Sequence, residues 1–279
     1  MPMIAAFLAV ALASPVSQLS EAELDARLAQ LHEMPFSERL ERLSGAFVGT
    51  PYGELPLGEG SGPEPWPRWR LDKVDCQTYV ETVLAMANAK GLAEAKHILD
   101  DIRYKGEPSF ENRNHFTEAQ WLPANLEKGY FTDEVPSIDG RAPTETLTLR
   151  KEQWSKLPEL KRLADAGVPD GKFMVRYLPM GELRKHVRSI VPGTILMVVR
   201  EGDPTKVVRI SHMGFVLKGP NGWVVRHATT GREHAVVDEP FGEFVAKQTE
   251  YKKWPVAGFA MALPVDASLR VSQIATASR

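Results

Sequence analysis

The hydrophobic pattern of this chain changes period near residue 190, and that change restricts the fold more than any other feature. Earlier apolar residues recur at helical spacing: Leu24, Leu28 and Leu31 share one face, as do Leu40, Leu43 and Phe47. Ser20-Glu21-Ala22-Glu23 reads as a capping box that opens the first of these helices, Pro35 ends it, and the second is capped near Ser37. From Thr194 onward, short apolar and β-branched runs (194–199, 212–217, 223–227, 235–237 and 256–261) are divided by turn residues such as Gly219-Pro220-Asn221-Gly222. Helices followed by a meander of short strands predict an α+β fold with a mostly antiparallel sheet.

Between the two regimes, a segment rich in glycine and proline runs from Gly49 to Trp69, and loops of this kind inside a domain are commonly functional. A helix is expected from Cys76, with Asp75 as its cap and Tyr79, Val80, Val83, Leu84 and Ala87 forming a broad buried stripe. Further helices are expected over 92–104 and 151–166. The tail beyond Pro264 is polar and rich in small residues, which predicts fraying.

The chain has 279 residues, a formal net charge of −2 and a single cysteine. Near-neutral charge argues against a nucleic-acid partner, and one cysteine excludes an internal disulfide and an all-cysteine zinc site. The apolar run Ile4 to Ala13 has the length of an export-signal core and ends in the small-x-small pattern Ala11-Leu12-Ala13. The expected organisation is a signal over 1–13, a helical segment over 14–48, a main domain over 49–264 and a flexible tail over 265–279. The implied destination is the periplasm, with no stable membrane insertion after the signal is removed.

Cys76 at a helix start is the candidate nucleophile, because unpaired backbone N–H groups there favour a thiolate, which predicts a lowered pKa and rapid alkylation. A cysteine nucleophile needs a base, and the base an orienting partner. His212 and His227 fall on neighbouring strands of an expected hairpin. A four-residue loop over 218–221 would set them directly opposite each other, whereas a five-residue loop would put them on opposite faces. His234 is the nearest further residue that could join them as a metal ligand. No metal or cofactor is expected.

Four ordered blocks carry a family resemblance: Asp75-Cys76-Gln77-Thr78-Tyr79-Val80-Glu81, Arg113-Asn114-His115-Phe116 with Trp121, Ser211-His212-Met213-Gly214, and His227-Ala228-Thr229-Thr230. They resemble the NlpC/P60 superfamily of papain-like cysteine hydrolases, and within it the N-acetylmuramoyl-L-alanine amidase-like branch, DUF1460. The resemblance spans roughly 49–263. One departure is Gly193-Thr194, where many relatives have Gly-Asp. The resemblance implies a papain-like fold with a nucleophile-bearing helix packed on the sheet, Cys76 as nucleophile, His212 as general base and His227 as its orienting partner. It further implies Tyr52 near the oxyanion and Asp75 as the partner of the D-C pair. The long loop and the segment carrying Arg113, His115 and Trp121 would then wall a substrate cleft. The implied substrate is peptidoglycan or a muropeptide, cut between N-acetylmuramic acid and L-alanine. A γ-D-glutamyl–diaminopimelate endopeptidase and a non-catalytic wall-binding protein are the alternatives.

Overall fold

The computed structural model describes residues 15–277 apart from 157–160, 162, 164–169 and 204. The expected export signal over 1–13 lies outside the described residues. Four helices, α1 (Glu21–His32), α2 (Phe36–Gly45), α3 (Cys76–Asn88) and α4 (Leu92–Arg103), precede all the named strands. The strands are β1 (Phe131–Asp133), β2 (Thr144–Leu149), β3 (Gly171–Arg176), β4 (Leu178–Pro179), β5 (Ile195–Arg200), β6 (Ile210–Gly219), β7 (Gly222–Ala228), β8 (Val236–Pro240) and β9 (Val256–Pro264). Seven of them form one sheet in the order β1-β9-β5-β6-β7-β8, with β4 also on β9, and β2 pairs with β3 in a separate hairpin. All of these named pairings are antiparallel. The α+β expectation and its mostly antiparallel sheet therefore match the structure.

Local chemistry accounts for the helix starts. In α1 the Ser20 hydroxyl accepts the Glu23 N–H while the Glu23 carboxylate accepts the Ser20 N–H at 2.8 Å, a complete capping box. α2 begins at Phe36 behind Pro35, one residue before the expected cap. Near 151–166 only the turn Lys151–Trp154 is α-helical among the described residues.

α3 is buried beyond the expected stripe: every residue from Thr78 to Asn88 is buried. Neighbouring helices cover one side of α3, and β6 and β7 the other, so even its polar positions face protein. Tyr79 is wedged between Phe47 and Phe215, with both ring centroids 5.6 Å away in edge-on geometry. Glu81 is 1% exposed and forms a 2.6 Å ion pair with the also buried Arg103 of α4. The Asn88 amide donates to the Leu84 carbonyl, and its oxygen accepts the Ala267 N–H.

The C-terminal tail is corrected by the structure. Ser268–Ala277 is a helix, not a frayed end. Ala267 and Val271 are buried in the main core with Ile274 packed against it, and Arg270 pairs with Asp101 of α4. Apolar residues spaced four and three apart were masked by the small polar residues between them. A second helix, Phe241–Glu250, buries Phe241, Phe244 and Val245 against β7 and β8, on the sheet face opposite α3. Among the described residues no helix is long and apolar enough to cross a membrane.

Removing one partner of the Glu81–Arg103 pair strands a buried charge, which costs roughly 3–5 kcal/mol. Arg103→Met is expected to lower unfolding free energy in urea by about that amount. Adding Glu81→Leu should recover part of the loss, and independent, additive losses would contradict the pairing.

Candidate active site

The first turn of α3 is fixed by a second capping box. Asp75 Oδ1 accepts the Thr78 N–H at 2.7 Å, and Thr78 Oγ1 accepts the Asp75 N–H at 2.9 Å. Cys76 is thereby held as the first helical residue. The Gly49–Gly53 segment is stitched on both sides of this turn. Gly53 N–H donates to the Val74 carbonyl at 3.0 Å, Tyr52 N–H to His234 at 2.8 Å, and Gly49 N–H to Val236 at 2.9 Å. Tyr52 is thus locked beside Cys76, its ring 5.4 Å from that of His234.

The other side of the site comes from β6. A bulge interrupts its pairing with β5, where Val198 faces His212 but Val199 faces Ile210, which leaves Ser211 as the extra residue. The backbone N–H groups of Met213, Gln77 and Cys76 itself all favour the Cys76 thiolate. Met213 directly follows His212, so this contact ties the strand carrying the imidazole to the helix carrying the thiol.

Hairpin geometry differs from the expectation. β6 and β7 close at Gly219↔Gly222 over two residues, Pro220-Asn221, not four or five. Gly222, at φ +125°, takes a conformation that favours glycine and permits so tight a return. Because Phe215 pairs with Arg226, Gly214 falls opposite His227, and His212 lies diagonally on the same face. The rings still meet: His212 Nε2 is 2.7 Å from His227 Nδ1, and the rings stand at 86°. Glycine at 214 makes this possible, since a Cβ there would lie 2.6 Å from the His227 Cβ.

The polar chain continues. His227 Nε2 is 3.1 Å from Glu239 Oε2 on β8, and Lys247 pairs with the other carboxylate oxygen. Phe244 lies under both imidazoles, with centroids 6.1 and 5.2 Å away. Burial opposes ionisation of Glu239, yet the hydrogen bonds from His227 and Lys247 hold its carboxyl below the usual range. An ionised carboxylate only accepts hydrogen bonds. His227 Nε2–H must then donate to Glu239, its Nδ1 accepts from His212 Nε2–H, and the free lone pair of His212 falls on Nδ1. The tautomers are assigned through this network.

The electrostatics of the thiol overturn a further expectation. Burial first, and the Asp75 carboxyl second, push Cys76 up to about 12 against the three N–H groups. Burial pulls His212 down to about 3, assisted by His227 and the Arg200 guanidinium. The resting pair is consequently neutral thiol and neutral imidazole, not thiolate and imidazolium. Tyr52 is likewise pushed up to about 12, chiefly by burial, and stays a phenol able to donate.

Tyr52, Cys76, His212, His227 and Glu239 line one cleft of about 1040 Å³. Asp75 lines a smaller pocket of about 400 Å³ that reaches Cys76 from the Gln77 side. Of the 113–121 segment expected to form another wall, Thr117 lines this smaller pocket beside Cys76 and His212, but Arg113, His115 and Trp121 line neither space. Arg113 is held by Glu59 and Glu64, and His115 Nε2 lies 2.5 Å from the Phe110 carbonyl. Both line a separate space of about 160 Å³ beyond Gln77. Trp121 is fully buried, its ring 5.3 Å from Phe131, and is a core residue, not a sugar platform. The departure at Thr194 is a local turn, its hydroxyl donating to the Val191 carbonyl at 2.7 Å. Sequence reading missed Glu239 and Gly214. Extending the 235–237 strand by two residues would have put Glu239 on the His227 face by its period of two.

A cysteine at a helix start shares one cleft with two histidines on neighbouring strands that are joined to a carboxylate, an arrangement suited to acyl transfer. A family model described as AmiA-like, N-acetylmuramoyl-L-alanine amidase-like, matches residues 42–251. The chain belongs to this family. Among solved structures it is similar to a Legionella pneumophila protein carrying the DUF1460 family model, at 26% identity and TM-score 0.76, covering 88% of this chain and 94% of that one. A Bacteroides uniformis N-acetylmuramoyl-L-alanine amidase is similar at 21% identity and TM-score 0.65, covering 82% and 98%. A Bacteroides fragilis protein provisionally named a xylanase is similar at 21% identity and TM-score 0.63, covering 79% and 99%. The last two likenesses, at their identities, speak to fold alone. No curated protein matches the chain.

Two measurements follow from the charge states. Cys76 is expected to react with iodoacetamide at pH 7 more slowly than a free thiol of pKa ~8.5; a faster reaction would restore the lowered-pKa expectation. Burial, with Arg113 second, pulls His115 down to about 4. As pH falls from ~6.5 the unfolded chain binds a proton that the folded site refuses, so stability drops until pH approaches about 4. His115→Gln should flatten that decline by roughly 1.4 kcal/mol per pH unit in urea titrations, and an unchanged slope would contradict a neutral buried His115.

Proposed function

We propose that this chain is an exported cysteine amidase that hydrolyses the bond between N-acetylmuramic acid and L-alanine in peptidoglycan or muropeptides. Membership of an amidase-like family supports a peptidoglycan-type substrate. The observation that supports the cysteine mechanism is the shared cleft, which the Cys76 thiol and a hydrogen-bonded His212–His227–Glu239 chain both line. The signal-like run from Ile4 to Ala13 supports export, since the polymer lies outside the inner membrane.

In this reading Cys76 Sγ attacks the muramoyl carbonyl while its proton passes to His212 Nδ1. The proton moves during the attack because both groups rest neutral. The carbonyl oxygen gains the negative charge and takes a hydrogen bond from the Tyr52 hydroxyl, a donor that stays protonated. His212, now an imidazolium, is stabilised through His227 by the Glu239 carboxylate. It returns the proton to the leaving amine, the C–N bond breaks, and the peptide departs with L-alanine at its N-terminus. Water then gives a proton to His212 and its oxygen to the thioester, which releases the muramic acid carboxylate and the thiol.

Digestion of purified muropeptides, with products identified by mass, tests the proposal. Wild-type protein is expected to release intact peptides beginning with L-alanine, and Cys76→Ala to lose about 10³-fold or more in kcat. Glu239→Gln is expected to lower kcat by about 10-fold or more with little change in KM, because it removes the charge that fixes the tautomers. Release of a dipeptide would move the reaction to the γ-D-glutamyl bond. Full activity in Cys76→Ala would exclude the cysteine mechanism.

A further inference from the structure

Four arginines are buried among the described residues: Arg39, Arg103, Arg200 and Arg209. Three are paired with carboxylates: Arg39 with Asp266, Arg103 with Glu81, and Arg209 with Glu145. Arg200 has no carboxylate partner among the described residues, and it alone of the four lines the large cleft. Burial of an uncompensated charge is costly unless a counter-charge arrives.

The guanidinium is nonetheless rigidly placed. Its Nε donates to Ser211 Oγ at 2.7 Å, Nη1 to the Trp254 carbonyl at 3.1 Å, and Nη2 to Gln248 Oε1 at 3.0 Å. The Tyr251 ring lies 5.0 Å from its central carbon. All four neighbours are uncharged. These bonds use three of the five N–H donors of a guanidinium, which leaves one on each terminal nitrogen, the fork that fits a carboxylate. The nearby cation Lys247 is already held by Glu239, and Arg232, Glu233 and Glu243 are exposed at the cleft rim.

Placement assigns the fragment that would supply the charge. Arg200 ends β5 and bonds Ser211, the bulged residue directly before His212. The smaller pocket on the Asp75–Gln77 side reaches Cys76, Ser211 and His212 but not Arg200. Arg200 therefore opens on the large cleft and not on the smaller pocket, beside the bulge that carries His212. The imidazole that protonates the leaving amine faces the departing fragment, so a group beside it in that cleft is placed to meet that fragment.

Resting on the amidase reading above, we propose that Arg200 binds a carboxylate of the departing peptide and makes the enzyme selective for acidic peptide stems. Arg200 also helps keep His212 neutral in the empty site. A bound carboxylate offsets the Arg200 charge, and a substrate carrying the right anion thereby strengthens the base that takes the Cys76 proton.

The experiment compares N-acetylmuramoyl-L-alanyl-D-glutamate with its diamide, in which both carboxylates are carboxamides. Wild-type kcat/KM is expected to favour the acid by about 10- to 100-fold, the scale of a charge-assisted pair. Arg200→Met should remove most of that preference by slowing the acid and sparing the diamide, while Arg200→Lys keeps part of it. Equal wild-type rates on the two substrates, or an undiminished preference in both variants, would overturn the assignment. Calorimetry of the dipeptide L-alanyl-D-glutamate with Cys76→Ala protein separates this idea from the amidase reading. If wild type cleaves neither substrate, yet Arg200→Met in that background weakens dipeptide binding about 10-fold or more, the reaction is wrong and the carboxylate site stands. Equal binding with and without Arg200 would refute the site itself.

Discussion

The capping box between Asp75 and Thr78 decides where α3 begins, and with that where Cys76 stands. Both members use backbone and side chain reciprocally, so the first turn has little freedom to fray. The rest of α3 is buried on all sides, between the helical layer and the sheet, and cannot slide without opening the core. Tyr79 between Phe47 and Phe215, and Glu81 against Arg103, fix its rotation and its depth. A thiol on such a helix is positioned by the packing of the domain as a whole. The opposing strand is held as firmly, since β5, against which it pairs, is buried along its whole length.

Charge in the cleft follows a single logic. Burial favours the neutral form of three groups that line the cleft: the Cys76 thiol, the His212 imidazole and the Tyr52 phenol. The permanent charges stand one step behind, with Glu239 beyond His227 and Arg200 beyond Ser211. A developing imidazolium would find its counter-charge already oriented, without solvent having to reorganise. This separation also explains why a helix N-terminus does not suffice to make a resting thiolate here. Three backbone N–H groups favour the anion, but desolvation and the Asp75 carboxyl outweigh them.

Much of this was legible in the sequence because it depends on local rules. The capping box at Ser20, the cap at Asp75, the helical stripes and the five strand runs are patterns of composition and period, and each has its counterpart in the structure. The features that were illegible depend on distance. Hairpin register turns on a single glycine conformation at 222, and no periodicity distinguishes a two-residue return from a four-residue one. Trp121 has the composition of a binding aromatic, and only tertiary packing shows that Phe131 covers it. The C-terminal helix was hidden because its few apolar residues are separated by serine, threonine and arginine. Glu239 and Arg200 become meaningful only once their neighbours are known, one because His227 reaches it and the other because, among the described residues, no carboxylate does.

The relay from Glu239 through His227 to His212 makes a statement about individual protons, and nitrogen-15 NMR of the histidine rings reads those protons directly. Between pH 5 and 8, His212 should show a protonated Nε2, an unprotonated Nδ1 and no titration. His227 should show its proton on Nε2, and Glu239→Gln should disturb both assignments. An imidazolium at His212 near pH 7 that disappears in Cys76→Ala would reveal a resting thiolate–imidazolium pair and contradict the neutral relay.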